Sequence, residues 1–183
     1  MALKATIFKA ELQIADMDRN YYGDHSLTLA RHPSETDERM MVRLLAFALH
    51  ASDTLAFTKG LSSDDEPDIW QKDLTDTIEL WIEVGAPDEP RLRKACNRAR
   101  QVIVYHYGGR GSEVWWSQNQ SKLARFDNLI VYHIPGDSSE QLAQLAQRTM
   151  RLQCTVQEGT VWLGDGERSV EVEPVVWKKM AGR

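Results

Sequence analysis

Cysteine is scarce in this chain: Cys96 and Cys154 are the two among 183 residues, far apart and outside any CxxC or metal-type spacing. No framework of disulfides and no cysteine-based metal motif follows from them. Two buried thiols in a reducing compartment are the expectation. Long apolar runs are missing as well. None approaches the ~20 residues needed to cross a bilayer. The opening MALKATIFKAEL carries charges where a signal peptide needs continuous apolar residues. A soluble, cytoplasmic protein without membrane partners is expected. A basic excess is lacking too, since 22 Lys and Arg face 27 Asp and Glu. That balance argues against wholesale nucleic-acid binding and leaves room only for a local basic face. Low-complexity segments and linkers are absent, and a hydrophobic content of 42% is enough for one domain spanning residues 1–183 with a sizeable core.

What is present centres on Glu66 to Gly85, EPDIWQKDLTDTIELWIEVG. Asp68 to Leu74 reads as a strand around Trp70. Thr77 to Val84 alternates, with Ile78, Leu80, Ile82 and Val84 on one face and Glu79, Trp81 and Glu83 on the other. With Thr75-Asp76 as a two-residue hairpin loop, Leu74 faces Thr77, Lys72 faces Glu79, Trp70 faces Trp81 and Asp68 faces Glu83. The first charged pair and the aromatic pair are each worth a few tenths of a kcal/mol to about 1. Asp68 opposite Glu83 is repulsive. A shared cation would justify it, because Mg²⁺ is commonly held by one or two carboxylates and water. Strands that splay and leave both acids in water would justify it equally.

Along the rest of the chain, Ala5 to Ile14 and His25 to Ala30 read as an antiparallel strand pair. A helix capped by Ser34 follows, with Met40, Met41, Leu44, Leu45, Ala48 and Leu49 as its apolar stripe. Asp88 or Glu89 starts a helix running to Arg100. VIVYHY (102–107) and LIVYHI (129–134) are continuously apolar, as buried parallel strands are, and a helix from Glu113 to Arg125 separates them. A further helix spans about Ser138 to Met150, and the C-terminal segment reads as strands joined by turns. The fold class is α/β, one domain with a mixed β-sheet flanked by helices.

Pro67-Asp68, followed by a strand that carries Glu83 two residues before Gly85, resembles the PD-(D/E)XK signature of metal-dependent nucleases. The chain as a whole, from MALKATIFKA through RHPSETDERMM and DLTDTIELWIEVG to WWSQNQSKL, resembles the bacterial YaeQ family. Its members are regarded as variants of that nuclease fold without an established activity. The resemblance implies a restriction-endonuclease-like core with Asp68 and Glu83 as Mg²⁺ ligands and an acidic residue of the first helix, Glu38, near the metal. It also implies a lysine two residues after the glutamate, and Gly85 stands there instead.

Other residues are candidates to complete the site. Lys94, on the helix after Glu83, is the lysine that would replace the missing one; on a helical wheel it also reads as a solvated surface residue. The basic run from Arg91 to Arg100, with Arg91 and Arg98 foremost, would neutralise phosphates or simply form a solvated helix face. Trp115, Asn119 and Lys122 share a helix face suited to stacking a base and holding a phosphate. His106 and His133 share a strand context but lack a third ligand at a convincing spacing. Two functions fit: a Mg²⁺-dependent phosphodiesterase acting on nucleic acid, and a non-catalytic module that binds nucleic acid or a protein partner.

Overall fold

A computed structural model describes residues 4–181. Its elements are β1 (Thr6–Asp16), β2 (Tyr21–Arg31), α1 (Asp37–His50), β3 (Leu55–Phe57), β4 (Ile69–Lys72), β5 (Ile78–Val84), α2 (Glu89–Arg98) and β6 (Ala99–Gly108). They continue with α3 (Ser112–Leu123), β7 (Leu129–Pro135), α4 (Gly136–Ala143), β8 (Thr149–Gln157), β9 (Thr160–Gly164), β10 (Ser169–Val172) and β11 (Val175–Lys178).

The strands form two mixed sheets rather than the single one expected. One has the order β10-β9-β8-β1-β2, the other β11-β7-β6-β5-β4-β3. In β1 every second residue from Phe8 to Asp16 is buried, and in β8 so are Met150, Leu152, Cys154 and Val156. That period of two makes one face of the sheet apolar, and β1 and β8 pair in parallel with Leu12 facing Leu152 on that face. The antiparallel β1–β2 pairing agrees with the sequence, but both strands extend until only residues 17–20 join them.

Helix α1 lies between the sheets, touching β1 on one side and β3, β5 and β6 on the other. Residues 40 to 48 are buried without a break, because a helix with a sheet on either side has no solvent face. Helices α2 and α3 cover the far side of the six-stranded sheet, over Trp81, Val102, Val104 and Val131. Strands β5, β6 and β7 run parallel and are covered on both faces, which explains their continuous apolar runs.

Several boundaries differ from the sequence reading: α2 stops at Arg98 and Arg100 belongs to β6, while α3 spans Ser112–Leu123 instead of Glu113–Arg125. Thr36, not Ser34, caps α1 by accepting the N–H of Arg39, while Ser34 bonds to His32. Helix α4 ends at Ala143 instead of near Met150, because Met150 belongs to the alternating pattern that β1 claims for β8. The short strand β3 and a single 3₁₀ turn, Gly60–Ser62, lie between α1 and β4, where the sequence reading placed no element. Among the described residues no helix is long and apolar enough to cross a membrane.

Candidate functional site

The hairpin β4–β5 keeps Trp70 opposite Trp81, their rings edge to face at 6.2 Å. Its loop is one residue longer than expected. Asp73 N–H donates to the Thr77 carbonyl, and Asp76 takes the left-handed conformation (φ 67°) that ends a three-residue hairpin loop. Lys72 consequently faces Ile78 rather than Glu79, and a bulge between Gln71 and Lys72 restores the register. The expected Lys72–Glu79 pair is therefore replaced. Lys72 lies 4.0 Å over the Trp70 ring and 3.3 Å from Asp76, and Glu79 accepts from Gln71.

The ladder ends at Ile69–Ile82, so Asp68 is not paired opposite Glu83 as expected; one backbone and one side-chain bond tie it to β5 instead. Asp68 N–H donates to the Ile82 carbonyl, and the Asp68 carboxylate accepts the N–H of Val84 at 2.8 Å. The chain of the 3₁₀ turn passes so close that a Cβ on Gly60 would lie 2.7 Å from Asp68 Oδ1, and Gly60 has φ 48°. Only glycine fits there.

Asp68 and Glu83 are 2% and 4% exposed and line one cleft of about 420 Å³ at the carboxyl end of β5. Each is held by an arginine from a different helix. Arg39 of α1 donates through Nη2 to both oxygens of Asp68, at 2.9 and 3.0 Å, and to the Val84 carbonyl. Its Nη1 donates to Glu35 at 2.6 Å, and Glu35 also accepts from Arg43, so four buried or nearly buried charges alternate in sign. Arg91 of α2 donates through Nε to Glu83 at 2.9 Å, and through its other nitrogens to the carbonyls of Asp64 and Glu66. Trp81 Nε1 donates to the same Glu83 oxygen.

The electrostatics are asymmetric. Burial, reinforced by the charge of Asp68, raises the Glu83 carboxyl to a pKa of about 7. Arg91 and the Trp81 N–H pull it back without cancelling that effect. Burial alone would lower Arg39, yet the charges of Asp68 and Glu35 outweigh it and hold the guanidinium above its usual value. Arg39 is a permanent cation in this cleft.

The remaining sequence candidates are spread out. Lys94 and Arg98 line a neighbouring groove of about 910 Å³ that shares Arg91 with the cleft, and among the described residues no lysine lines the cleft itself. Arg98 also donates to the Asp65 carbonyl and lies 5.0 Å over the Trp81 ring. Glu38 turns to α4, where Ser139 Oγ donates to it at 2.6 Å; the acid that joins the network is Glu35, just before the N-cap of α1. Trp115 stacks on His106, Asn119 donates to the Trp115 carbonyl, and Lys122 is exposed; none of the three lines the cleft. Among the described residues no group of three His, Cys, Asp or Glu is placed to hold a metal. Two carboxylates and water satisfy Mg²⁺ in principle. As the side chains stand, however, Arg39 occupies the place on Asp68 that such a cation would take.

Arg39, Glu35 and Arg43 were not singled out from the sequence. The signal was there in Arg43, a charge set among Met40, Met41, Val42, Leu44 and Leu45, which demands a buried counter-ion. Glu35, Arg39 and Arg43 are spaced i, i+4, i+8.

Two mixed sheets around a buried helix, with an acidic pair capped by arginines at a strand end, define an α/β protein of distinct architecture. The chain belongs to the YaeQ family, whose model, described as YaeQ protein, matches residues 1–174. It is 49% identical over 179 residues to the uncharacterized YaeQ proteins of Salmonella typhi and Escherichia coli strain K12, covering 98% of this chain and 99% of each relative. Its structure is similar to the crystal structure of YaeQ protein from Xanthomonas axonopodis pv. citri (TM-score 0.91, 52% identity, 95% of this chain and 98% of that one). The YaeQ protein structure from Pseudomonas syringae gives a TM-score of 0.92 at 38% identity, over 97% of this chain and 98% of that one.

Proposed function

We propose that the chain is a non-catalytic nucleic-acid-binding module built on a restriction-endonuclease-like, PD-(D/E)XK-type core. One observation carries this reading: each carboxylate of the motif is already paired with a guanidinium group, and Gly85 leaves the motif without its lysine. The acidic pair then acts as a structural clasp. Arg39 ties α1 to the end of β5, and Arg91 ties α2 to the loop before β4. Contact with phosphates falls to the outer face of α2, where Arg93, Lys94 and Arg98 are exposed and the last two line the groove.

The repulsion remaining between Asp68 and Glu83 favours a second reading, a metal-dependent phosphodiesterase. A divalent cation between them would relieve the penalty that raises Glu83. Arg39 would have to leave Asp68, and Lys94 would have to reach across from the groove.

Anisotropy of labelled single-stranded and duplex oligonucleotides separates the two. The binding module is expected to bind at low salt, to lose affinity as salt rises, and to weaken when Lys94 and Arg93 are changed to Glu. It should leave the oligonucleotide intact in Mg²⁺ or Mn²⁺. Metal-dependent cleavage abolished by Glu83→Gln would establish the phosphodiesterase instead.

A further inference from the structure

Strands β6 and β7 set His106 directly opposite His133, and their Nδ1 atoms lie 3.2 Å apart. Both rings are fixed by stacking. Trp115 lies on His106 at 4.7 Å and 13°, and Trp177 lies on His133 at 4.3 Å and 2°. Trp116 stacks in turn on Trp177, so neither imidazole turns freely. His106 is buried and His133 half-buried.

Two imidazole nitrogens held at that separation match one edge of a tetrahedron. Zn–N bonds of about 2.0–2.1 Å place neighbouring ligand nitrogens about 3.3 Å apart. Imidazole selects Zn, Cu and Ni over the hard cations Mg²⁺ and Ca²⁺. We propose that His106 and His133 form a two-nitrogen site for a borderline divalent transition-metal ion such as Ni²⁺, Cu²⁺ or Zn²⁺. The remaining positions on the ion are open to water. Glu113, in the exposed first turn of α3, lies close enough for its charge to act on His133. Without a metal, one N–H···N hydrogen bond joins the two rings. This site lies apart from the Asp68–Glu83 cleft and does not depend on the function proposed for it.

The test titrates Ni²⁺ into the full chain and follows tryptophan fluorescence, since Trp115 and Trp177 stack on the ligating rings. One equivalent should quench. His106→Phe and His133→Phe keep a ring in each stack but remove the nitrogen. Outer partners of metal-binding imidazoles already account for roughly 10–100-fold in affinity, so each variant should bind at least about tenfold more weakly. Glu83→Gln should bind as the parent does. Unchanged affinity in both Phe variants, or loss of binding in Glu83→Gln, would overturn the assignment. If a Phe variant fails to fold, ring-nitrogen NMR shifts of the parent decide the matter: Zn²⁺ must move Nδ1 of both histidines, and unmoved shifts refute the site.

Discussion

One nitrogen of Arg39 bridges both oxygens of Asp68, and the same nitrogen donates to the carbonyl of Val84. Removing a partner from a buried ion pair leaves a bare charge, and typically costs roughly 3–5 kcal/mol. Arg39→Met should therefore lower the unfolding free energy by about that much in urea melts, and adding Asp68→Asn should recover part of it. Mg²⁺ at millimolar concentration should leave the parent Tm unchanged. If Asp68 accepts a cation once Arg39 is gone, Mg²⁺ should raise the Tm of Arg39→Met.

Glu83 sets a pH dependence with a definite sign. Its pKa is about 7 in the folded chain against an ordinary value of 4.5. Between those values the folded state holds a proton that the unfolded state has lost, so stability falls as pH rises across this window. The gap amounts to about 3 kcal/mol at most, reached above pH 7. Glu83→Gln should remove this slope, and the difference between parent and variant melts at pH 4.5 and pH 8 isolates it. Equal slopes would contradict the burial assigned to Glu83.

A lysine at Gly85, where the nuclease resemblance implies one, should not create metal-dependent cleavage. Gly85 has φ 109°, and its Cβ direction leads toward Nε of Arg39 at 3.9 Å. A side chain there is strained by roughly 1–3 kcal/mol. Gly85→Lys is expected to lower the Tm and to bring a second cation against Arg39. A variant as stable as the parent that gains metal-dependent cleavage would refute this account.

Leu45 is fully buried in α1, with a sheet on either side of the helix. Leu45→Ala should cost roughly 2–5 kcal/mol. An unmoved melting temperature would place α1 outside the core.

The Trp70–Trp81 pair was legible in the sequence, although two departures cancel to give it. A loop one residue longer than expected shifts the register, and the bulge shifts it back. Alternation identified β5 and continuous apolar runs identified β6 and β7, because patterning reflects burial directly. It did not show that two sheets form, since β1 and β8 meet across about 140 residues and nothing local announces a parallel partner. The resemblance pointed to Glu38, whereas the arginines reach Glu35. Glu35 lies just before the cap of α1 and Glu38 in its first turn, and only the tertiary position of Asp68 decides which one the arginines reach.

That pairing of β1 with β8 also sets an order of events during synthesis. Strand β1 finds β2 within a few residues of being made, but its other edge must wait for Thr149–Gln157. Pairing at such separation slows folding, because a long loop is closed before the contact rewards it. Until then an apolar strand edge of the nascent chain stands open to any other strand. Fragments ending before Thr149 should consequently aggregate, whereas the full chain shields this edge with its own last quarter.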